Sequence, residues 1–311
     1  MSNLIPDPSA LQIQSNPESA TIESYVSREA DIGGLSVHRA LPNRKRRLVG
    51  PWCFLDHYGP LTFETGKPMD VAPHPHIGLQ TVTWLFSGEA LHKDSMENEQ
   101  LIVPGQLNLM TAGKGISHSE ETPGRNSSKL HGVQFWVALP DAYRNTEPSF
   151  HHHSKLPEIN FGSARVVVLI GALAETLSPA TSYSEMIGAE FTANQKDDLD
   201  LPIKSNFEHA IFPIEGSILL DKEILQPDVL YYLGSGRDSL SISVSAKTKF
   251  LLVGGAPFGE KILMWWNFVA HTSEEISRAR TEWEEGNRFG TVRRYAGNRI
   301  PAPPLSVRPK S

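Results

Sequence analysis

Ile102-Val-Pro-Gly-Gln-Leu-Asn-Leu-Met-Thr-Ala-Gly113 returns in altered form as Leu225-Gln-Pro-Asp-Val-Leu-Tyr-Tyr-Leu-Gly-Ser-Gly236. Pro104 matches Pro227 and Gly113 matches Gly236, each pair 123 residues apart. Upstream, Leu85-Phe-Ser-Gly88 resembles Pro213-Ile-Glu-Gly216 at an offset of 128. Each copy reads strand, glycine turn, strand, proline turn, strand. Two copies of such a unit predict an all-β protein of two tandem barrels.

The rest of the chain agrees with that reading. Its 24 glycines and 23 prolines punctuate short segments of period-two patterning. Val82, Trp84 and Phe86 share one face of a strand, as do Val133, Phe135 and Val137. Leu240, Ile242 and Val244 alternate with Ser239, Ser241 and Ser243. Arg165–Gly171, Val229–Leu233 and Phe250–Val253 read as strands buried on both faces. One helix is expected near the C-terminus, capped by Thr272 with Glu275 and stopped at Gly286. Ile276, Ala279 and Trp283 would form its buried stripe, and Glu274 and Arg278 an exposed pair. This helix reads as packing scaffold.

Composition narrows the function classes. The 311 residues carry 29 basic and 35 acidic side chains, a net charge of −6, which speaks against broad binding to a nucleic-acid backbone. A single cysteine, Cys53, allows no internal disulfide and reads as a small buried hydrophobe. No leader pattern and no membrane-spanning apolar run is legible, so a cytoplasmic protein is expected. The Pro-, Ser-, Asn- and Gln-rich residues 1–22 predict a flexible arm. The domains expected after it are a metal-binding barrel at 23–150, a second barrel at 151–290 and a tail at 291–311.

The chemistry is expected in the first barrel. In Pro73-His74-Pro75-His76 the two imidazoles alternate on a strand and project together. His118 and Glu120 repeat that spacing after the turns at Gly113 and Gly115. If the two strands are neighbours, three imidazoles and one carboxylate converge on a metal ion. Such donors suit Fe(II) first, and also Ni(II), Cu(II), Mn(II) or Zn(II); no thiolate points to a structural zinc site. Four ligands on a six-coordinate ion leave two positions for substrate, water or dioxygen. In the second copy the same positions hold Pro202, Lys204, Ser241 and Ser243, so that barrel is expected to carry no metal and to cover the first.

Other polar clusters receive plainer readings. His151, His152 and His153 read as an exposed loop able to pick up metal adventitiously. His57 reads as a hydrogen-bonded histidine at a strand end, and Arg44–Arg47 as a solvated turn. His92, after the Gly88 turn, is a candidate to support the metal ligands.

At these residues the sequence resembles the pirin family of the cupin superfamily. The stretches that carry the resemblance are Gly50–Pro60, His74–Phe86, Pro104-Gly105, Met110–Glu120, His131–Val137 and Trp265–Val269. It spans about residue 28 to about residue 290. The resemblance implies two cupin (double-stranded β-helix) barrels face to face, with metal in the N-terminal one alone. It assigns His74, His76, His118 and Glu120 as ligands, in agreement with the spacing. General cupins place a glutamate ligand near the position of Gln80, and Leu109 stands where many pirins carry an aromatic residue.

The family implies two functions. Some pirins resemble quercetin 2,3-dioxygenases, which open the central ring of a flavonol with dioxygen and release carbon monoxide. In that case Glu120 would accept the substrate's proton. Others are redox-responsive regulators that bind a transcription factor or a metabolic enzyme. A monomer is expected from the same resemblance.

Overall fold

The computed structural model describes residues 22–64 and 68–305. The predicted arm at 1–22 lies outside them except for Ile22, as does the end of the predicted tail from 306 on. The first half of the chain forms β1 (Glu23–Val26), β2 (Arg28–Ile32), β3 (Leu35–Leu41), β4 (Trp52–Thr62), β5 (Asp70–His76) and β6 (Leu79–Gly88). There follow β7 (Ala90–Asp94), β8 (Glu99–Ile102), β9 (Leu107–Thr111), β10 (Ile116–Glu121), β11 (Lys129–Ala138) and β12 (Ser149–His153). The second half begins with β13 (Glu158–Phe161), β14 (Ala164–Leu173), β15 (Thr176–Leu177), β16 (Met186–Ala193), β17 (Asp197–Pro202) and β18 (Glu208–Glu215). It ends with β19 (Ile218–Leu220), β20 (Glu223–Leu225), β21 (Val229–Gly234), β22 (Ser239–Val244), β23 (Thr248–Gly255), β24 (Leu263–Trp265), β25 (Phe268–Ala270) and α1 (Ser273–Glu285).

The duplication read in the sequence is visible strand by strand. One large sheet runs β12-β9-β6-β11-β4-β3-β2 and the other β1-β21-β18-β23-β16-β14-β13. The smaller sheets run β5-β10-β7-β8 and β17-β22-β19-β20. Each large sheet closes with its small partner into a cupin barrel. The repeated glycines explain themselves at this level. Gly88 has φ +88°, and a Cβ there would lie 2.1 Å from the Lys129 carbonyl oxygen on β11. Gly216 has φ +82°, and a Cβ would lie 2.3 Å from Thr248 Oγ1 on the equivalent strand β23.

Alternation decides which way each strand faces. Val82, Trp84, Val133, Phe135 and Val137 turn outward from their own barrel and pack against Val167, Ala210, Phe212, Leu251 and Val253 of the other. The apolar stripes therefore build the seam between barrels. Each large side chain buried there contributes about 1.5–3 kcal/mol. Polar bonds fix the seam's register. Trp52 Nε1 donates to the carbonyls of Ile187 (3.0 Å) and Gly254 (3.1 Å), and Gly50 N–H donates to Glu208 Oε2 at 2.7 Å. Trp84 Nε1 donates to the buried Glu190 carboxylate. The opposite alternates of β6 and β11, including Thr81, Thr83 and Gln134, look into the first barrel. The second barrel's interior is filled instead by Val166, Val168, Phe191, Ile211, Phe250 and Leu252.

The helix forms as its caps predict. Thr272 Oγ1 accepts the Glu275 N–H at 3.2 Å, and Gly286 closes it with φ +79°. The Glu275 carboxylate reaches past the cap to the His271 N–H at 2.9 Å. Four expectations are corrected. Strand β1, grouped with the first barrel, pairs with β21 of the second, while His151–His153 form edge strand β12 of the first barrel and not a loop. The segment from β24 to Leu305 packs on the first barrel through Ile77, Trp265, Phe268, Trp283 and Phe289. The basic turn is only partly solvated, since the Arg46 guanidinium lies 3.6 Å from the Tyr232 ring centre and pairs with Glu23 at 3.3 Å.

Candidate metal centre

β10 lies between β5 and β7, with His118 opposite His74 on one side and opposite Asp94 on the other. This pairing joins the two His-containing motifs. Among the described residues, ring nitrogens of His74, His76 and His118 lie within 4.8 Å of one another, and all three side chains are buried. His76 Nε2 and His118 Nε2 are 3.1 Å apart. The carboxylate of Glu120 is not in that group. It rests 3.3 Å from Thr83 Oγ1 on the facing sheet. The β10–β5 register shifts between His118 and Glu120, so Glu120 stands opposite Val71.

Proton placement shows what the triad suits. His74 Nδ1 lies 2.9 Å from the Ala72 carbonyl and His76 Nδ1 3.0 Å from the Asn267 carbonyl. A carbonyl only accepts, so both Nδ1 atoms carry the hydrogen and both Nε2 atoms present a bare lone pair. His118 is oriented by side chains. Its Nδ1 is 3.3 Å from His92 Nδ1, and His92 Nε2 is 3.2 Å from Asp94 Oδ2. Asp94 accepts only, which fixes a relay: His92 Nε2–H donates to Asp94, and His92 Nδ1 accepts from His118 Nδ1–H. The third Nε2 is then bare as well. Three bare nitrogens this close together in a buried site are an arrangement that a cation satisfies, so the donor set fits a divalent transition metal.

Electrostatics agree. Burial lowers the His74 imidazolium to about 3 and holds His76 and His118 well below the usual range. The triad is therefore neutral at pH 7, as ligation requires. Burial raises the Glu120 carboxyl, against the contrary pull of His92 and Thr83. Aromatic rings close the centre. Trp136 meets His76 edge-on at 5.0 Å, and Phe150 of β12 stacks on His92 at 4.3 Å.

A polar row crosses the sheet facing Glu120. His152, Asn108, Thr83, Gln134, Asp56 and Arg39 are successive partners on neighbouring strands. His152 Nδ1 lies 2.8 Å from Asn108 Oδ1, and Thr83 Oγ1 donates to Gln134 Oε1 at 2.9 Å. Arg39 grips Asp56 with two bonds of 2.6 Å. The sequence reading found His92 but missed Asp94 and this row. The signal was the polar alternates of strands whose apolar alternates drew attention. His57 is a mid-strand residue of β4, bonded to Asp228 at 2.6 Å and His131 at 2.9 Å, away from the triad. Gln80 points to the seam and donates to Thr111 Oγ1 and the Thr181 carbonyl. Cys53 is buried, with its thiol pushed up by desolvation.

The Pirin family model matches residues 34–137, and the model for the pirin C-terminal cupin domain matches 188–290. The chain belongs to the pirin family. A relative from Pseudomonas aeruginosa named "Putative quercetin 2,3-dioxygenase" is 46% identical over 286 residues, covering 91% of this pirin-family chain and 90% of its own length. Human Pirin is 27% identical over 266 residues, covering 82% of this chain and 89% of its own. The crystal structure of a quercetin 2,3-dioxygenase from Acinetobacter baumannii superposes with a TM-score of 0.89 at 40% identity, over 93% of this chain and 97% of that one. Among the described residues, no helix is long and apolar enough to cross a membrane.

Proposed function

We propose that this pirin-family chain is a metal-dependent dioxygenase that opens flavonols of the quercetin type. The observation that carries the proposal is the buried, neutral His74–His76–His118 triad, whose ligand nitrogens lie within 4.8 Å of one another. The names of the Pseudomonas relative and the Acinetobacter structure support the substrate class. We assign Fe(II) as the metal, with Ni(II), Cu(II), Mn(II) and Zn(II) as its competitors for imidazole. When bound, the metal supplies Lewis acidity and a common meeting place for an electron-rich oxygen substrate and dioxygen.

The chain's residues do the remaining work. The Ala72 and Asn267 carbonyls and the His92–Asp94 pair lock the three rings before anything binds, so little reorganisation is needed later. Glu120 rests at the long distance of 3.3 Å from Thr83 Oγ1, and would have to turn from there to supply a fourth ligand. Its raised carboxyl makes it a stronger base than an exposed glutamate, suited to taking the proton of a flavonol 3-hydroxyl. Trp136 and Phe150 keep water from the rings. The polar row led by Thr83 and Gln134 offers acceptors and donors to substrate hydroxyls.

The test is an anaerobically Fe(II)-loaded chain mixed with quercetin and then with air. Loss of flavonol absorbance with release of carbon monoxide is expected, and neither in His118→Ala. Inertness of the metal-loaded chain toward several flavonols would reject the enzyme reading. It would favour the redox-sensing regulator that binds a protein partner.

A further inference from the structure

A second site lies outside the barrel, under the start of α1. A cleft of about 150 Å³ opens there, with Ile77 and Gly78 in its lining and three arginines, Arg144, Arg278 and Arg288, around it. Glu275 is the one carboxylate in the lining. Arg144 bonds Asp141 through Nε at 2.7 Å and Glu275 through Nη1 at 2.8 Å. Arg288 bonds the Lys114 carbonyl through Nε and Glu282 through Nη1 at 2.8 Å. The Nη2 groups of both have no protein acceptor among the described residues. Arg278 has none at all among them. The exposed pair with Glu274 that helical spacing predicts is not made.

We propose that this cleft binds a small tetrahedral oxyanion of the phosphate or sulfate type. Asp141, Glu275 and Glu282 occupy only the Nε and Nη1 edges of Arg144 and Arg288, which leaves their Nη2 groups and the whole of Arg278 for a ligand; Glu275 itself is already held by Arg144 and the His271 N–H. Planar guanidinium edges match the oxygen spacing of tetrahedral oxyanions better than lysines would. A volume of about 150 Å³ admits such an ion with a few waters. The site is distinct from the histidine triad but adjoins it, because Ile77 follows His76 and bridges to Phe268 beside Asn267. The proposal does not depend on the dioxygenase reading.

Isothermal titration of sodium sulfate into the full chain tests it, with ionic strength held constant by sodium chloride. Phosphate and acetate are run in parallel. One saturable site is expected for sulfate and for phosphate, with acetate at least tenfold weaker. Arg278 is exposed, so Arg278→Glu should fold normally by circular dichroism and lose at least tenfold in sulfate affinity, while Arg278→Lys keeps part of it. His118→Ala should bind sulfate as the unaltered chain does. Absence of saturable binding overturns the proposal, as does unchanged affinity in Arg278→Glu or acetate binding as tightly as sulfate. Loss of binding in His118→Ala with retention in Arg278→Glu also overturns it, by placing the anion at the triad.

Discussion

Replacing His92 by phenylalanine isolates one ligand of the triad. His74 and His76 are oriented by backbone carbonyls that no side-chain change removes. His118 alone leans on side chains, through His92 to Asp94. Phenylalanine keeps the stacking on Phe150 and deletes both hydrogen bonds. Asp94 stays satisfied by the Met96 and Asn98 N–H groups and by Asn98 Nδ2. The loss therefore falls on His118 Nδ1–H, a buried donor left without an acceptor. An orphaned buried donor costs about 1–3 kcal/mol, which corresponds to a loss of metal affinity of roughly 5- to 150-fold. Competition with a chromophoric chelator at fixed pH measures it, with circular dichroism as the folding control. His118→Ala should abolish binding in the same assay, and Asp94→Asn should fall between the unaltered chain and His92→Phe, since the amide oxygen still accepts. The relay is refuted if His92→Phe binds metal as tightly as the unaltered chain.

Glu120→Gln should retain metal, measured by elemental analysis, and lose flavonol turnover; full turnover would remove the carboxylate from the chemistry. Arg39→Met leaves the buried Asp56 without its two 2.6 Å bonds and should cost about 3–5 kcal/mol in urea unfolding, most of it recovered in an Arg39→Met, Asp56→Leu double variant. Burial lowers His209 to about 4, so between its ordinary value near 6.5 and that value the unfolded chain holds a proton that the folded chain lacks. Stability should fall with acid across that window by roughly 3 kcal/mol, and His209→Gln should flatten the slope by up to about 1.4 kcal/mol per pH unit in pH-dependent unfolding.

The two-barrel fold was legible because its signals are local. Glycines 88 and 216 mark turns that side chains would block, and the alternation of Val82 and Trp84 sets a face whatever covers it. What covers it was not legible: those stripes meet the other barrel, a contact between residues more than a hundred positions apart. The triad was legible for the same reason, since His-X-His on any strand presents two rings together. Glu120 obeys that alternation too, yet the shifted register beside it is a property of two paired strands and leaves no mark on either alone. The supports from the C-terminal segment were hidden more deeply. Asn267 holds His76 through its carbonyl, and Phe289 accepts from the Ser117 N–H at 3.1 Å and its hydroxyl at 3.0 Å through a carbonyl, groups that every residue type possesses. The exchange of edge strands, with β1 in the second sheet and β12 in the first, depends likewise on where distant segments end.

Crystals grown with Fe(II) and measured on both sides of the iron absorption edge put the central claim to its most direct trial. The account predicts one strong anomalous peak within bonding distance of the Nε2 atoms of His74, His76 and His118. No peak there, or a peak seated instead on His151 and His153 of β12, would contradict it.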